Sequence, residues 1–365
     1  MAKTKIKIFE MFSGTGGASF SLKKANIPFK CIGFSEIDKY AVQCYKQNHG
    51  DIKNFGDCTK INPDELPCFD LLTGGFPCQS FSVAGKGLGE QDTRGTLFNE
   101  IIRIAEVKKP KYMLLENVKG LLSKKHKQTF DKILSELKRI GYFVHYNVLN
   151  SKKHGIPQNR ERVWFVCFRD EDEFYKFEYP EEQELKIFLK DILEKEVDEK
   201  YYLSKEQTAK LLQSTRHTSA FKEPKCIQVN NPSHSNNRVY GEEGISPTLN
   251  TMQGGNRQPF ILSQPLKFLN RNQKKLQGKY SGCVDSCNTN GVRIKQKIRK
   301  LTPAECFRLM GFLNNEINLE GLSNSQKYKL AGNGWDINIV SKILKNMRFT
   351  NNKRKANGKI RFSSK

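Results

Sequence analysis

The stretch DLLTGGFPCQSFS, residues 70–82, runs from an apolar segment through two glycines to Pro77 and Cys78. A thiol at such a place can be a small core residue, a metal ligand or a nucleophile. Two other segments carry chemistry of their own. Glu116 closes the apolar run YMLLENV, and carboxylates are seldom buried without a partner or a task. QNRER, residues 158–162, sets Arg160 and Arg162 two apart, on one face if the chain enters VWFV extended. Taken alone, Cys78 reads as packing. With a carboxyl and a guanidinium pair arriving at strand ends beside it, it reads as a nucleophile served by an acid and an anion clamp. The ten cysteines contain no CxxC pair, which argues against a zinc ribbon and a compact disulfide framework and leaves no metal site in view.

A second group of residues points to a bound nucleoside. FEMFSGTGG, residues 9–17, places Gly14, Gly16 and Gly17 directly after a strand-like run, where backbone N–H groups can approach a ligand. The spacing is G-x-G-G rather than the complete dinucleotide fingerprint. Glu36 follows Gly14 by 22 residues, close to the ~20-residue offset at which an acid reaches a ribose hydroxyl pair. Asp57, in FGDCT, follows a third short apolar run and could accept from an adenine amino group. Three successive strand ends, each with a fitting group, favour a ligand containing ribose and adenine.

The elements that must hold these residues alternate. Strand-like runs at 6–12, 29–35, 53–55, 70–73, 112–116, 142–149 and 163–168 are separated by helical patterns. The clearest helix sets Phe130, Ile133, Leu134, Leu137 and Ile140 on one face and ends at Gly141. Such alternation predicts a mostly parallel sheet covered on both faces, with ligands at the carboxyl ends of its strands. After Arg169 the pattern breaks. An amphipathic segment at 185–194 leads into a polar region, about 205–297, that reads as loops and short irregular strands. Helical periodicity returns in LTPAECFRLMGF and in AGNGWDINIVSKILKNM.

Charge narrows the partner. The net charge is +24, yet residues 170–199 hold 13 acidic and 4 basic residues, so the rest of the chain is more basic still. That balance favours a polyanion, most often nucleic acid. The last 18 residues carry seven Lys or Arg and no acid, the composition of a disordered tail. Hydrophobic content of 37% with 27% charged residues is that of a soluble globular chain. No apolar run nears the roughly 20 residues needed to cross a bilayer, and the basic start reads as no signal peptide.

These motifs, in this order, resemble the DNA (cytosine-5)-methyltransferase family: FSGTGG, the acid in SEID, GDCT, GGFPCQSFSVAGK, RGTLF, ENV, QNRER, RKLTPAECFRLMGF and AGN. The likeness covers all but about 205–297. It implies a Rossmann-like S-adenosylmethionine-dependent α/β sheet, mostly parallel with one reversed strand. A catalytic domain, 1–180 completed by about 326–348, would be joined by a smaller mixed domain, 181–325, containing the target-recognition region, with a basic tail at 349–365. It implies that Cys78 adds to cytosine C6, that Glu116 protonates N3, that Arg162 binds O2 and that Arg160 helps hold Glu116 and the site in place. For S-adenosyl-L-methionine it implies Phe12, Gly14, Thr15, Gly16, Gly17, Glu36, Ile37, Asp57, Phe76, Pro77, Leu97 and Asn333. Double-stranded DNA would be met by Gln79, Ser82, Lys86 and Arg94 of a loop that closes over a flipped base, and by Arg238, Arg257 and Arg271 of the recognition region. The expected protein is a monomeric, cytoplasmic enzyme of bacterial or phage origin. Glu10 and Gly334 stand where the family often has Asp and Ser or Ala. A tRNA cytosine-5 methyltransferase on the same scaffold, and a nucleotide-dependent oxidoreductase, are the alternatives; the first lacks its Cys-Phe-Thr signature here, and the second gives Pro-Cys-Gln no role.

Overall fold

In the computed structural model the alternating apolar runs pair into one six-stranded sheet: β1 Ile6–Met11, β2 Phe29–Ser35, β3 Leu71–Gly75, β4 Tyr112–Val118, β5 Phe143–Asn150 and β6 Glu161–Phe168. The described residues are 5–76, 96–211, 226–230, 232, 237–250, 258–263, 283–284, 290–291 and 297–349. Strand order is β2-β1-β3-β4-β6-β5. Pairings are parallel except those of β6, which runs antiparallel to both β4 and β5. The reversal matters for chemistry. It brings the amino end of β6, with Arg162 opposite Val118, to the same sheet edge as the carboxyl end of β4.

Both faces are covered, as the period-two pattern requires. Phe9, Met11, Met113, Leu115 and Phe165 pack on one side with α3 (Thr96–Lys108) and α4 (Lys127–Arg139). Ile8, Tyr112, Leu114, Trp164 and Val166 pack on the other with α1 (Gly17–Lys24) and the apolar stripe of α7 (Ile337–Asn346). The helix α2, Lys39–His49, is capped by Asp38, whose carboxylate accepts from the backbone N–H of Tyr40 and Ala41. A third cluster joins Phe20 to α5 (Pro303–Arg308) and α6 (Asn324–Asn333). There the buried Arg299 guanidinium meets Glu305 with both nitrogens, at 2.7 and 2.8 Å, and fixes the start of α5. A small three-stranded sheet contains Val239–Gly241, Phe260–Leu262 and Ile298–Lys300.

Three expected elements differ. The segment 53–55 forms only the single bridge of Asn54 to Phe34, because Gly56, with φ of 68°, turns the chain away from the edge of β2. The amphipathic run 185–194 is helical only over Leu189–Ile192. AGNGWDINIVSKILKNM is not one helix: α6 ends at Asn333, Gly334 is extended, and Asp336 caps a new helix by accepting from Asn338 and Ile339. The start of α6 at Asn324 has a Ser323–Gln326 capping box that periodicity alone did not reveal. No helix among the described residues is long and apolar enough to cross a membrane.

Candidate active site

The sheet order reverses between β1 and β3, and an open cleft lies at the strand ends there. Its walls include Phe12, Gly14, Glu36, Gly75, Phe76, Glu116, Arg160, Arg162 and Asn333. The chain leaves β1 through Phe12, which adopts φ of 51°, a left-handed conformation that costs a non-glycine residue about 1–3 kcal/mol and is found where a surrounding site holds it. Gly16 follows at φ of 83°, and a Cβ there would come within 2.3 Å of the His49 ring. Glycine is therefore the residue this turn needs. His49 also contacts the Thr15 carbonyl through Nε2 at 3.0 Å, while Nδ1 faces Lys23 Nζ at 3.2 Å. The ammonium must donate to a ring lone pair, so Nε2 carries the proton and donates to Thr15. Burial, with Lys23 beside it, pushes this imidazole down to about 4.

Glu36 stands at the end of β2 and already accepts from the Gly14 N–H at 2.9 Å with one oxygen. Its other oxygen accepts from Ile37 and Asp38 at 2.8 and 2.9 Å. Ile37 beside it is a 79% exposed apolar side chain. Asp57 accepts from the backbone and hydroxyl of Thr59 and caps a short 3-10 turn. Those backbone and hydroxyl bonds hold its carboxyl below the usual range. Beneath the glycine turn, Glu10 is buried and accepts from Ser19 and, at 2.8 Å, from Tyr45. Burial pushes the Glu10 carboxyl up despite these bonds. These groups fit an adenosyl ligand: a left-handed turn with free approach at Gly14, an acid at ribose distance in sequence, and an exposed apolar side chain for a base.

At the other wall Arg162 Nε lies 2.9 Å from Glu116 Oε1, both side chains being mostly buried. Asn117 donates to the carbonyl of Phe76 at 3.0 Å, which fixes the backbone immediately before Pro77. Arg160 ties together backbone around the site. Its buried guanidinium donates to the carbonyls of Leu249, Gly332 and Gly334 at 3.1, 3.1 and 3.0 Å, and it makes no hydrogen bond to Glu116. The direct contact to Glu116 is made by Arg162, while Arg160 interacts with its charge at longer range. Burial and the charge of Arg162 push the Arg160 guanidinium down to about 9, still charged at neutral pH.

A family model described as C-5 cytosine-specific DNA methylase matches residues 6–348. The chain belongs to that family. The methylase is 34% identical to the orphan methyltransferase M.SPBetaI of Bacillus phage SPbeta, over 94% of this chain and 98% of the relative. It is 33% identical to the type II methyltransferase M.HhaI of Haemophilus parahaemolyticus, over 94% of each. Its fold is similar to that of the Dnmt2 methyltransferase of S. pombe, with a TM-score of 0.64, 19% identity, and coverage of 94% of this chain and 98% of the other. The methylase is a DNA (cytosine-5-)-methyltransferase with the α/β sheet of that class, and the oxidoreductase and tRNA alternatives give way to the family match.

Of the residues expected at the site of the methylase, the cleft brings together Phe12, Gly14, Glu36, Phe76, Glu116, Arg160, Arg162 and Asn333. Thr15 and Gly17 line the adjoining cavity; Ile37, just past the end of β2, and Asp57, at the head of a 3-10 turn, do not line the cleft. Leu97 packs against the core beneath it. Pro77, Cys78, Gln79, Ser82, Lys86, Arg94, Arg257 and Arg271 lie outside the described residues, as does the tail from residue 350. Arg238 is exposed just before Val239–Gly241. Sequence reasoning missed Trp335. This ring lines the cavity with Glu116, packs edge-on against Trp164 at 5.1 Å, and covers Gly75 so closely that a Cβ would meet its Nε1 at 2.9 Å. One of only two tryptophans in the chain, inside AGNGWD, was the available signal.

Proposed function

We propose that the methylase acts on a cytosine flipped out of double-stranded DNA, with Cys78 as nucleophile, Glu116 as proton donor, Arg162 as the group that holds the base, and S-adenosyl-L-methionine as methyl donor. The observation that carries this reading is the Glu116–Arg162 pair at 2.9 Å, in the cleft into which Phe76 leads toward Pro77 and Cys78. Cytosine C5 is too weakly nucleophilic to take a methyl group unaided. Addition of the Cys78 thiolate at C6, with a proton passed from Glu116 to N3, converts the ring to an enamine with electron density at C5. The donor, when bound, supplies an electrophilic methyl group to that carbon. Loss of the C5 proton to a base then drives electrons back to sulfur, the C6–S bond breaks, the thiolate is freed and the N3 proton returns to Glu116.

The residues that hold the donor are Phe12 and the turn Gly14–Thr15–Gly16–Gly17, Glu36 toward the ribose, and Ile37 and Asp57 toward adenine, with Phe76, Pro77, Leu97 and Asn333 completing the pocket. Arg162 carries only one wall of the base site; its Nη1 is spent on the Glu161 carbonyl at 2.8 Å, which orients the remaining nitrogen. Arg160 is a positioning residue that joins Leu249 to the turn beside the donor pocket. Residues 205–297 read the target, and a stacked base reaches this cleft only after leaving the duplex. Bisulfite sequencing of DNA from cells expressing the methylase tests the reading: protected cytosines within one sequence context are expected. Uniform conversion of all cytosines would overturn it.

A further inference from the structure

The cleft has a rim that none of the assigned residues explains. Beyond Val118, which lines the cleft beside Glu116, the chain makes two successive 3-10 turns, Lys119–Leu122 and Lys124–His126, and enters α4 at Lys127. From Asn117 to Phe130 there are four lysines and a histidine and not one acid. Lys119 is engaged, its Nζ 2.8 Å from Glu161, which stands between Arg160 and Arg162. Lys124, Lys125 and Lys127 are exposed and have no ion-pair partner among the described residues. The double turn is nonetheless firmly built. Leu121 is fully buried in the core, Ser123 donates to the Gly120 carbonyl at 3.0 Å, and His126 donates to Ser123 at 2.9 Å.

Nothing in the fold asks for cations there. They crowd the positive end of the α4 dipole, where acids are favoured, and the first turn of that helix contains none. Two apolar side chains, Val118 and Leu122, are exposed among them, at 39% and 37%. A rigid, unpaired basic surface joined to the wall of the reactive cleft suits a backbone of phosphates with apolar sugars between them.

We propose that Lys124, Lys125 and Lys127 form a docking surface for the phosphate backbone of duplex DNA beside the flipped nucleotide, separate from the recognition region at 205–297. The inference rests on the proposed base-flipping function. A base drawn to Glu116 brings its own strand to the rim, and the lysines neutralise the phosphates gathered there. Their contribution is independent of sequence, since phosphate contacts position a duplex without reading it.

The test compares wild type with K124Q/K125Q/K127Q. A control, K176Q/K186Q/K195Q, removes three exposed lysines from the acidic segment and so changes net charge equally. Affinity for plasmid-derived duplex DNA is measured between 50 and 200 mM salt. Each lost phosphate contact lowers the slope of log affinity against log salt by about 0.9. The rim variant is expected to lose about 2–3 units of slope, with turnover at saturating DNA and S-adenosylmethionine affinity unchanged. The control variant is expected to keep the wild-type slope. A rim variant with the wild-type slope, or a control that loses as much, overturns the docking surface. Wild type that methylates no DNA would instead overturn the function on which it rests.

Discussion

Replacing Arg160 by methionine tests whether one buried guanidinium joins target reading to the donor pocket. The substitution keeps an unbranched apolar stem and removes three donors. Leu249 and Gly332 are buried, so their carbonyls lose partners that water does not replace; Gly334 is partly exposed and can be solvated. Two orphaned buried acceptors cost about 2–6 kcal/mol together. Relief from burying a cation that burial pushes down to about 9 returns part of that, about 1–3 kcal/mol. The net loss is about 1–3 kcal/mol, which a domain stable by about 5–15 kcal/mol survives. The functional cost falls on the turn at 332–334, since Asn333 and Gly334 line the cavity proposed to take the donor. Urea denaturation and calorimetric titration with S-adenosylmethionine read both effects. The expected result is a lower urea midpoint with unchanged slope, and donor affinity weakened about tenfold, equivalent to ~1.4 kcal/mol. R160K, which cannot fork to three carbonyls, should fall between. Unchanged midpoint and unchanged donor affinity in R160M would refute the reasoning.

Two further outcomes follow from particular contacts. His154 is fully buried, both its ring nitrogens lack partners among the described residues, and burial, then Lys342, push it down to about 4. Between pH 6.5 and about 4 the unfolded chain therefore binds the extra proton. The stability of wild type relative to H154N should be constant above pH 6.5 and shrink by up to ~1.4 kcal/mol per pH unit below it, measured by urea midpoints; a pH-independent difference would contradict this. In G75A the new Cβ would meet Trp335 Nε1 at 2.9 Å and Glu116 Oε2 at 3.0 Å, so the carboxyl must shift. Turnover should fall about 10–100-fold with DNA affinity retained, and full activity would show that Glu116 need not stand where it does.

The sheet was legible because its strands are short apolar runs closed by residues that chemistry needs. Glu36, Gly75 and Glu116 each sit at or beside a carboxyl end, and six of the seven strand ranges agree with the structure to within two residues. What escaped the sequence depended on distant partners. The run at 53–55 has strand-like residues, yet it meets only the edge of β2 and turns away at Gly56. The break between α6 and α7 follows from Asp336, which a periodic reading of AGNGWDINIV passes over. At the site, the spacing of Arg160 and Arg162 was visible, but not which of them meets Glu116. That is decided by packing: Arg160 is enclosed by backbone carbonyls from two segments far away in sequence, 89 and 172 residues off, and no local pattern encodes them. Trp335 escaped for the same reason, since its partners Gly75 and Trp164 come from two different strands.

Covalent capture tests the central claim most directly. Duplex DNA amplified with 5-fluorocytosine in place of cytosine carries a fluorine where the C5 proton must leave, so the adduct at C6 cannot be released. Incubated with S-adenosylmethionine, wild type should form a denaturation-resistant protein–DNA complex whose attachment maps to Cys78, and C78S should form none. Equal capture by C78S, or attachment at any other residue, would contradict the account.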